Sequence, residues 1–365
     1  MRILIAPDKF KGSLGAAEVG AAIAKGLQSI RPTAELEIVA LADGGEGTAD
    51  AIRSSTGGEW IVIAADDALG RARQSRYAWL TASRLAVMEM SATAGLSQLA
   101  PNERDPVRTT TFGVGQMLRD ATERGAAEII IGLGGSATND GGFGMARALG
   151  FRFLDDNGHE LSGPVSDLLK LSRITPTGRP SLPSITAACD VSNPLLGPNG
   201  ATSTFGPQKG ATPEKLEILE RSLSRLAHVS AETFACDHRD DSGAGAAGGL
   251  GFGLLTFCNA KIRSGFEVVA EAIDLRARIS RADIVITGEG KLDRQTLAGK
   301  GPAGVAQMAR ELGKSVYAIV GIATDDSEVR QLFDEVLPLN DTSPGYRETA
   351  RILELRAGEL ASRLR

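Results

Sequence analysis

Short apolar runs rich in β-branched residues recur along the chain, most of them separated by amphipathic stretches, and four of them end in polar loops crowded with glycine. Such alternation is the mark of helices laid over a mainly parallel sheet, so the expected fold class is α/β. Residues 3–6 are the first run, and Ala17, Ala21, Ala24 and Leu27 line one stripe of a helix expected over 14–28. A strand at 36–41 and a helix from near Gly47 follow. The rhythm then changes, because the runs at 60–64, 76–79 and 85–90 succeed one another without long helices between them, which predicts a partly antiparallel sheet. Strands at 128–133 and 185–189 and helices over 116–124 and 143–149 restore the alternation. A Pro- and Gly-rich loop is expected over 191–212, after which Pro213 opens a long helix to about residue 235. Strands at 283–287, 316–320 and 336–339, with a helix over 304–312, resemble the first two strands in kind. The expected organisation is therefore two α/β domains. Residues 1–60 plus 281–365 build an open parallel, flavodoxin-like sheet, and residues 61–280 form an inserted mixed α/β domain.

Composition narrows the function classes. A net charge of −5 leaves no cationic excess for nucleic-acid phosphates. The uncharged stretch 242–260 is long enough to span a bilayer, but its repeated glycines favour a buried helix, so no membrane partner is expected. The N-terminus carries too short an apolar run for a secretory signal, and the odd count of three cysteines, with no CxxC pair, suits a reducing compartment; the expectation is a cytoplasmic protein. His159, His228 and His238 are the only histidines and are widely spaced, which argues against zinc. Glycine, at 44 of 365 residues, is well above the usual ~7% and concentrates attention on the loops.

In open α/β sheets ligands bind beyond the carboxyl ends of strands, which is where the four loops are expected. The first, residues 8–13, holds Lys9, Lys11 and Ser13; its lysines suit a phosphate or carboxylate, and a solvated turn with Ser13 as helix N-cap is the alternative. The second, residues 43–48, places Asp43 and Glu46 among glycines, as a Mg²⁺ site would, or as helix-capping acids would. The third, residues 132–142, runs GLGGSATNDGG between a strand and a helix, and its bare backbone amides suit an anion, a ligand-free turn being the alternative. The fourth, residues 287–293, combines Glu289, Lys291 and Asp293. Asp190 stands at the end of the run 185–189, as a general base or metal ligand would, or as the start of an Asx-turn.

Formal motifs are few. No Walker A string occurs. Residues 243–248 match GxGxxG but follow no strand, which deprives the match of its dinucleotide-binding context. Residues 134–138 approximate a nucleophile elbow without its final glycine and without an evident histidine partner.

Taken together, APDKFKGSL (6–14), ADGGEGT (42–48), GLGGSATNDGG (132–142), CDVSNPL (189–195), FGPQKGA (205–211), GAGAAGGLG (243–251) and ITGEGKLDRQT (286–296) resemble the bacterial glycerate kinases that make 2-phosphoglycerate. Residues 320–324 depart from the small-residue turn of that family, and little beyond Pro338 is diagnostic. The resemblance implies an ATP- and Mg²⁺-dependent kinase acting on glycerate at its C2 hydroxyl, with two α/β domains, a cleft between them and no P-loop. It assigns Gly134, Gly135, Ser136, Thr138 and Asn139, with Glu289 and Lys291, to the nucleotide. Lys9, Lys11, Ser13, Asn193 and Lys209 go to the substrate and its phosphoryl group, Asp43, Glu46 or Asp293 to Mg²⁺, and Asp190 to the catalytic base, with Lys9 and Lys11 beside it. A monomer or homodimer is expected. A dehydrogenase of a small hydroxy acid and a nonenzymatic sugar-acid binding module are the alternatives.

Overall fold

The computed structural model describes residues 1–10, 12–176, 181–294, 296, 301–339 and 346–364. They form two compact units: Met1–Asp43 with Asp50–Thr56 and Gly265–Arg365, and Gly44–Ala49 with Gly57–Ser264. The chain's final return to the first unit, at 264/265, falls earlier than the 280/281 division expected from sequence. Helices Gly265–Ala272 and Leu275–Arg281 go with the first unit, where Leu275 and Ile279 are buried and the Arg278 guanidinium binds Glu37 and, at 3.0 Å, the Ser55 carbonyl.

The first unit carries a five-stranded sheet in the order Glu335–Pro338, Ser315–Val320, Ile284–Gly288, Arg2–Pro7, Glu35–Ile38, parallel throughout. Counted within the unit this is the doubly wound order 2-1-3-4-5 of flavodoxin-like sheets. Its switch point lies between Arg2–Pro7 and Ile284–Gly288, which are stitched at their carboxyl ends by Thr287 Oγ1 donating to the Ala6 carbonyl at 2.7 Å and by the Asp8 amide donating to the Gly288 carbonyl at 2.8 Å. Ile3, Leu4 and Ile5 are fully buried because helices cover both faces, which is why this strand reads as an unbroken apolar run. The expected first helix spans Ala16–Ile30; Val19, Ile23 and Leu27 share a core with Leu353, Ala357 and Leu360 of the last helix, Tyr346–Arg363. That last helix has no counterpart among the sequence expectations.

The second unit carries a six-stranded sheet in the order Lys261–Arg263, Ser184–Ala188, Glu128–Gly132, Leu85–Glu89, Ala72–Leu80, Glu59–Asp66. Pairing is parallel across the first four strands and antiparallel across the last two contacts, the mixed construction that the missing helices between 60 and 90 foretold. An unexpected hairpin, Phe151–Leu154 with Arg173–Pro176, brings Phe151 and Phe153 against Phe257, 5.2 and 5.8 Å between ring centroids. The stretch 242–260 contains a buried helix, Ala246–Cys258, whose start is broken by left-handed backbone at Ala247, Gly248 and Gly249. The expected loop 191–212 contains the short helix Ala201–Phe205 and a 3-10 turn Pro207–Lys209. No helix among the described residues is long and apolar enough to cross a membrane.

Candidate active site

In the second unit, the chain leaves strand Glu128–Gly132, runs through residues 133–142 and enters helix Phe143–Ala148. The amides of Gly134, Gly135 and Ser136 donate to no acceptor among the described residues, whereas those of Leu133, Ala137 and Thr138 on either side are bonded. Gly135, at φ +72°, is exposed at the tip. Three successive unused N–H groups at a strand's carboxyl end are the groups that an anion cradle would use.

The rest of this loop is buried and braced from beneath. Asp140 accepts from the Thr111 amide at 2.8 Å, from the Thr111 hydroxyl and from the amides of Gly142 and Gly144 at 3.1 Å. Burial pushes its carboxyl above the usual range, against the opposing pull of those donors. Lys209 is only 2% exposed and donates from Nζ to the Thr138 carbonyl at 2.6 Å and to Ser136 Oγ at 3.3 Å. Expected as a substrate or phosphate contact, its ammonium is enclosed by protein and supports the loop. Burial lowers its pKa from the ordinary 10.5 to about 7, with Asp140 opposing the shift. Thr138 and Asn139, expected at the nucleotide, are also buried; Asn139 Nδ2 donates to Thr202 Oγ1 at 3.0 Å. Ser136 Oγ meets Thr138, Lys209 and the Ala247 carbonyl, a polar cluster with no histidine, so the nucleophile-elbow reading fails.

The second loop lies against the third. A Cβ on Gly134 would stand 2.5 Å from Gly45 Cα, so the two backbones touch at a position only glycine allows. The Glu46 carboxylate lies beside Gly135, where Oε1 would stand 2.8 Å from an added Cβ, and accepts from Ser97 Oγ at 3.3 Å. Helix Thr48–Thr56 is capped by Glu89 Oε1, which accepts from the amides of Gly47 and Ala49 at 3.0 and 2.9 Å. The acid capping this helix therefore comes from a neighbouring strand, while Glu46 points toward the cradle's tip. Asp190, half-buried just past strand Ser184–Ala188, accepts from Ser264 Oγ at 3.2 Å. Asn193 donates its amide to the Asn199 carbonyl at 2.7 Å and so holds its own loop.

In the first unit, Lys9 follows the switch-point strand and pairs with Asp43 at 3.2 Å, both side chains about a quarter to a third exposed. Lys11 lies outside the described residues. Ser13 Oγ donates to Thr349 Oγ1 at 2.8 Å, and the helix N-cap is Gly15, whose amide donates to Glu18, so the capping reading of Ser13 does not hold. Glu289 accepts from Thr296 Oγ1 at 2.7 Å, and Lys291, largely exposed, pairs with Asp293 at 2.9 Å. Among the described residues no three His, Cys, Asp or Glu side chains converge as a metal cage. Mg²⁺ does not need one, since it takes one or two carboxylates with water and phosphate.

The sequence pattern of the glycerate kinase family matches residues 3–361. The chain belongs to the glycerate kinase family. It is 41% identical to a glycerate kinase of Bacillus subtilis (strain 168), with 100% of this chain and 98% of that one covered. It is 44% identical to the glycerate 2-kinase of Escherichia coli (strain K12), over 89% of this chain and 86% of the relative. A solved structure described as a glycerate kinase 2 from Salmonella typhimurium LT2 superposes with a TM-score of 0.89 at 41% identity, covering 99% and 97% of the two chains.

For a member of this family the GxGxxG match at 243–248 has a role other than holding a dinucleotide. Gly248, at φ +70°, lies against the Thr138 carbonyl, which an added Cβ would approach to 1.9 Å, and the Gly141 amide donates to the Gly248 carbonyl at 3.1 Å. Gly248 thus seats the loop of residues 133–142. Asp140, Thr111, Thr202 and this turn are the supports that sequence reasoning missed. The S/T-rich pattern around 109–111 and the left-handed demand of GAGAAGG were the available signals, but neither names its partner.

Proposed function

We propose that this chain transfers the γ-phosphoryl group of ATP to the C2 hydroxyl of glycerate, giving 2-phosphoglycerate and ADP. ATP-dependent phosphorylation of glycerate follows from family membership across the chain; the choice of C2 rests on the name of the Escherichia coli relative. The observation that carries the site is the run of three unused amides at residues 134–136, set on a braced loop.

Phosphoryl transfer depends on positioning and charge neutralisation more than on covalent help. The amides of Gly134, Gly135 and Ser136 bind nucleotide phosphate oxygens, and Lys209 with Asp140, Thr138 and Asn139 keeps those amides aimed. A carboxylate beside a phosphate cradle repels the ligand unless a cation lies between them, which is the reason Glu46 fits Mg²⁺, with Asp43 or Asp293 as the other candidate ligands. When bound, Mg²⁺ neutralises phosphate charge. Lys9, together with Lys11, holds the glycerate carboxylate or the transferred group, and Lys291 takes a phosphate oxygen. Asp190, oriented by Ser264, accepts the hydroxyl proton. Ser13, Asn193 and Glu289 hold the loops that present these groups. A cytoplasmic setting is consistent with three cysteines that form no disulfide.

A coupled assay of ADP formation with and without glycerate tests the reading, and ADP release that ignores glycerate would overturn it. Phosphorus NMR of the product decides the hydroxyl. Asp190→Asn is expected to lower kcat about 10²–10⁴-fold with little change in substrate Kd, and near-normal turnover removes Asp190 from the role.

A further inference from the structure

The helix Pro213–Phe234 ends in a left-handed Ala235, and the chain then turns through residues 236–241 at the surface of the second unit. Three side chains of that turn line up. His238 Nδ1 faces Asp241 Oδ2 at 2.7 Å, and His238 Nε2 faces Cys236 Sγ at 3.1 Å. The carboxylate accepts only, so it draws the imidazole proton to Nδ1 and leaves the Nε2 lone pair toward the thiol. Backbone bonds hold the arrangement: the Asp241 amide donates to the His238 carbonyl at 3.3 Å, the Leu195 amide to the Arg239 carbonyl at 2.8 Å, and the Ala244 amide to the Asp241 carbonyl at 3.0 Å. Arg239 is engaged by Asp237 at 2.8 Å. Cys236 is exposed, whereas Cys258 is buried and Cys189 half-buried. None of these residues belongs to the site assigned to phosphoryl transfer.

Nucleophile, base and orienting carboxylate are the parts of an activated thiol. We propose that Cys236 is a reactive thiol that undergoes exchange with low-molecular-weight disulfides, making it a site of reversible S-thiolation. In the forward step Cys236 Sγ gives its proton to His238 Nε2, and the thiolate attacks one sulfur of the disulfide. A Sγ–S bond forms as the S–S bond breaks, and the departing thiolate takes the proton from the imidazolium. Asp241 holds the ring throughout, and a free thiol reverses the exchange.

The test uses the full chain and dithiodipyridine, a neutral disulfide, at neutral pH, with peptide mass spectrometry to assign the labelled sulfur. An ordinary thiol is only a few per cent thiolate at that pH, and ionisation is partly offset by lower nucleophilicity, so activation is worth roughly tenfold in rate. Cys236 is expected to label ahead of Cys189 and Cys258, with the rate falling roughly tenfold in His238→Gln and by a smaller factor in Asp241→Asn. Circular dichroism identifies a misfolded variant; should His238→Gln misfold, Asp241→Asn decides. Equal rates in the parent and the folded variant, or earlier labelling of another cysteine, overturn the proposal. The readout is thiol chemistry, so it stands or falls separately from kinase activity.

Discussion

Two loops at the carboxyl ends of parallel strands use opposite means. The loop after Glu128–Gly132 offers bare amides and is locked by buried groups, among them Asp140, Lys209 and Thr138. The loop after Arg2–Pro7 offers charged side chains, of which Lys9 is held by a partly exposed ion pair with Asp43. An N–H group cannot reorient without its chain, so a backbone cradle requires a rigid foundation. A lysine can exchange one anion for another by rotating its own side chain, so it needs only a nearby counter-ion. Damage to the first loop should therefore appear in folding and binding together, and damage to the second in binding alone.

Asp140→Ala tests the contrast most severely. It strands buried amides that now have an acceptor, and urea unfolding should register a loss of about 3–5 kcal/mol. A change below about 1 kcal/mol would show that the loop does not depend on this carboxylate. Gly248→Ala comes next, because left-handed backbone and a Cβ at 1.9 Å from the Thr138 carbonyl both oppose it. About 2–4 kcal/mol of stability should be lost and the KM for ATP should rise; normal stability would mean that the turn moves without cost.

Lys209 sharpens the comparison through pH. Its native pKa, lowered by burial to about 7, lies below the ordinary 10.5, so between these values the unfolded chain holds a proton that the native state has released. Stability should consequently rise with pH across that window. Lys209→Met should flatten the rise, as read from urea midpoints, and an unchanged slope would assign the titration elsewhere. Lys9→Ala should produce the smallest change in folding, within about 1 kcal/mol for a partly exposed pair. Loss of a charge-assisted bond should nevertheless raise the KM for glycerate about 10–100-fold. Substantial unfolding in this variant would erase the distinction between the loops.

Much of the fold was legible because burial on both faces leaves a plain mark. The run at 3–6 became strand Arg2–Pro7, the run at 128–133 became Glu128–Gly132, and Pro213 opens the long helix. The last helix was not legible: its buried positions are few among many charges, and Leu353, Ala357 and Leu360 acquire meaning only against the first helix. The hairpin at 151–154 and 173–176 was missed for a similar reason, since its strands are short and pair across a long connection. Within the site, glycines and acids at strand ends could be read as loops with chemistry. Lys209 could not be told from an open phosphate ligand, because a lysine's letter does not record what encloses it. His238 likewise offered no partner for Ser136 and found one in Cys236, two residues away.

Local order was thus written into the chain itself: the alternation of strand and helix, the loops between them and the types of functional group they carry. These follow from periodicity and backbone preference, which act between near neighbours. Which groups face a ligand and which brace those that do was decided only by tertiary structure. The reason is that desolvation and hydrogen-bond partnership belong to a packed environment. The same Lys209 that is ordinary in an open chain becomes a support beneath Thr138 once folding buries it with its Nζ against the Thr138 carbonyl and Ser136 Oγ.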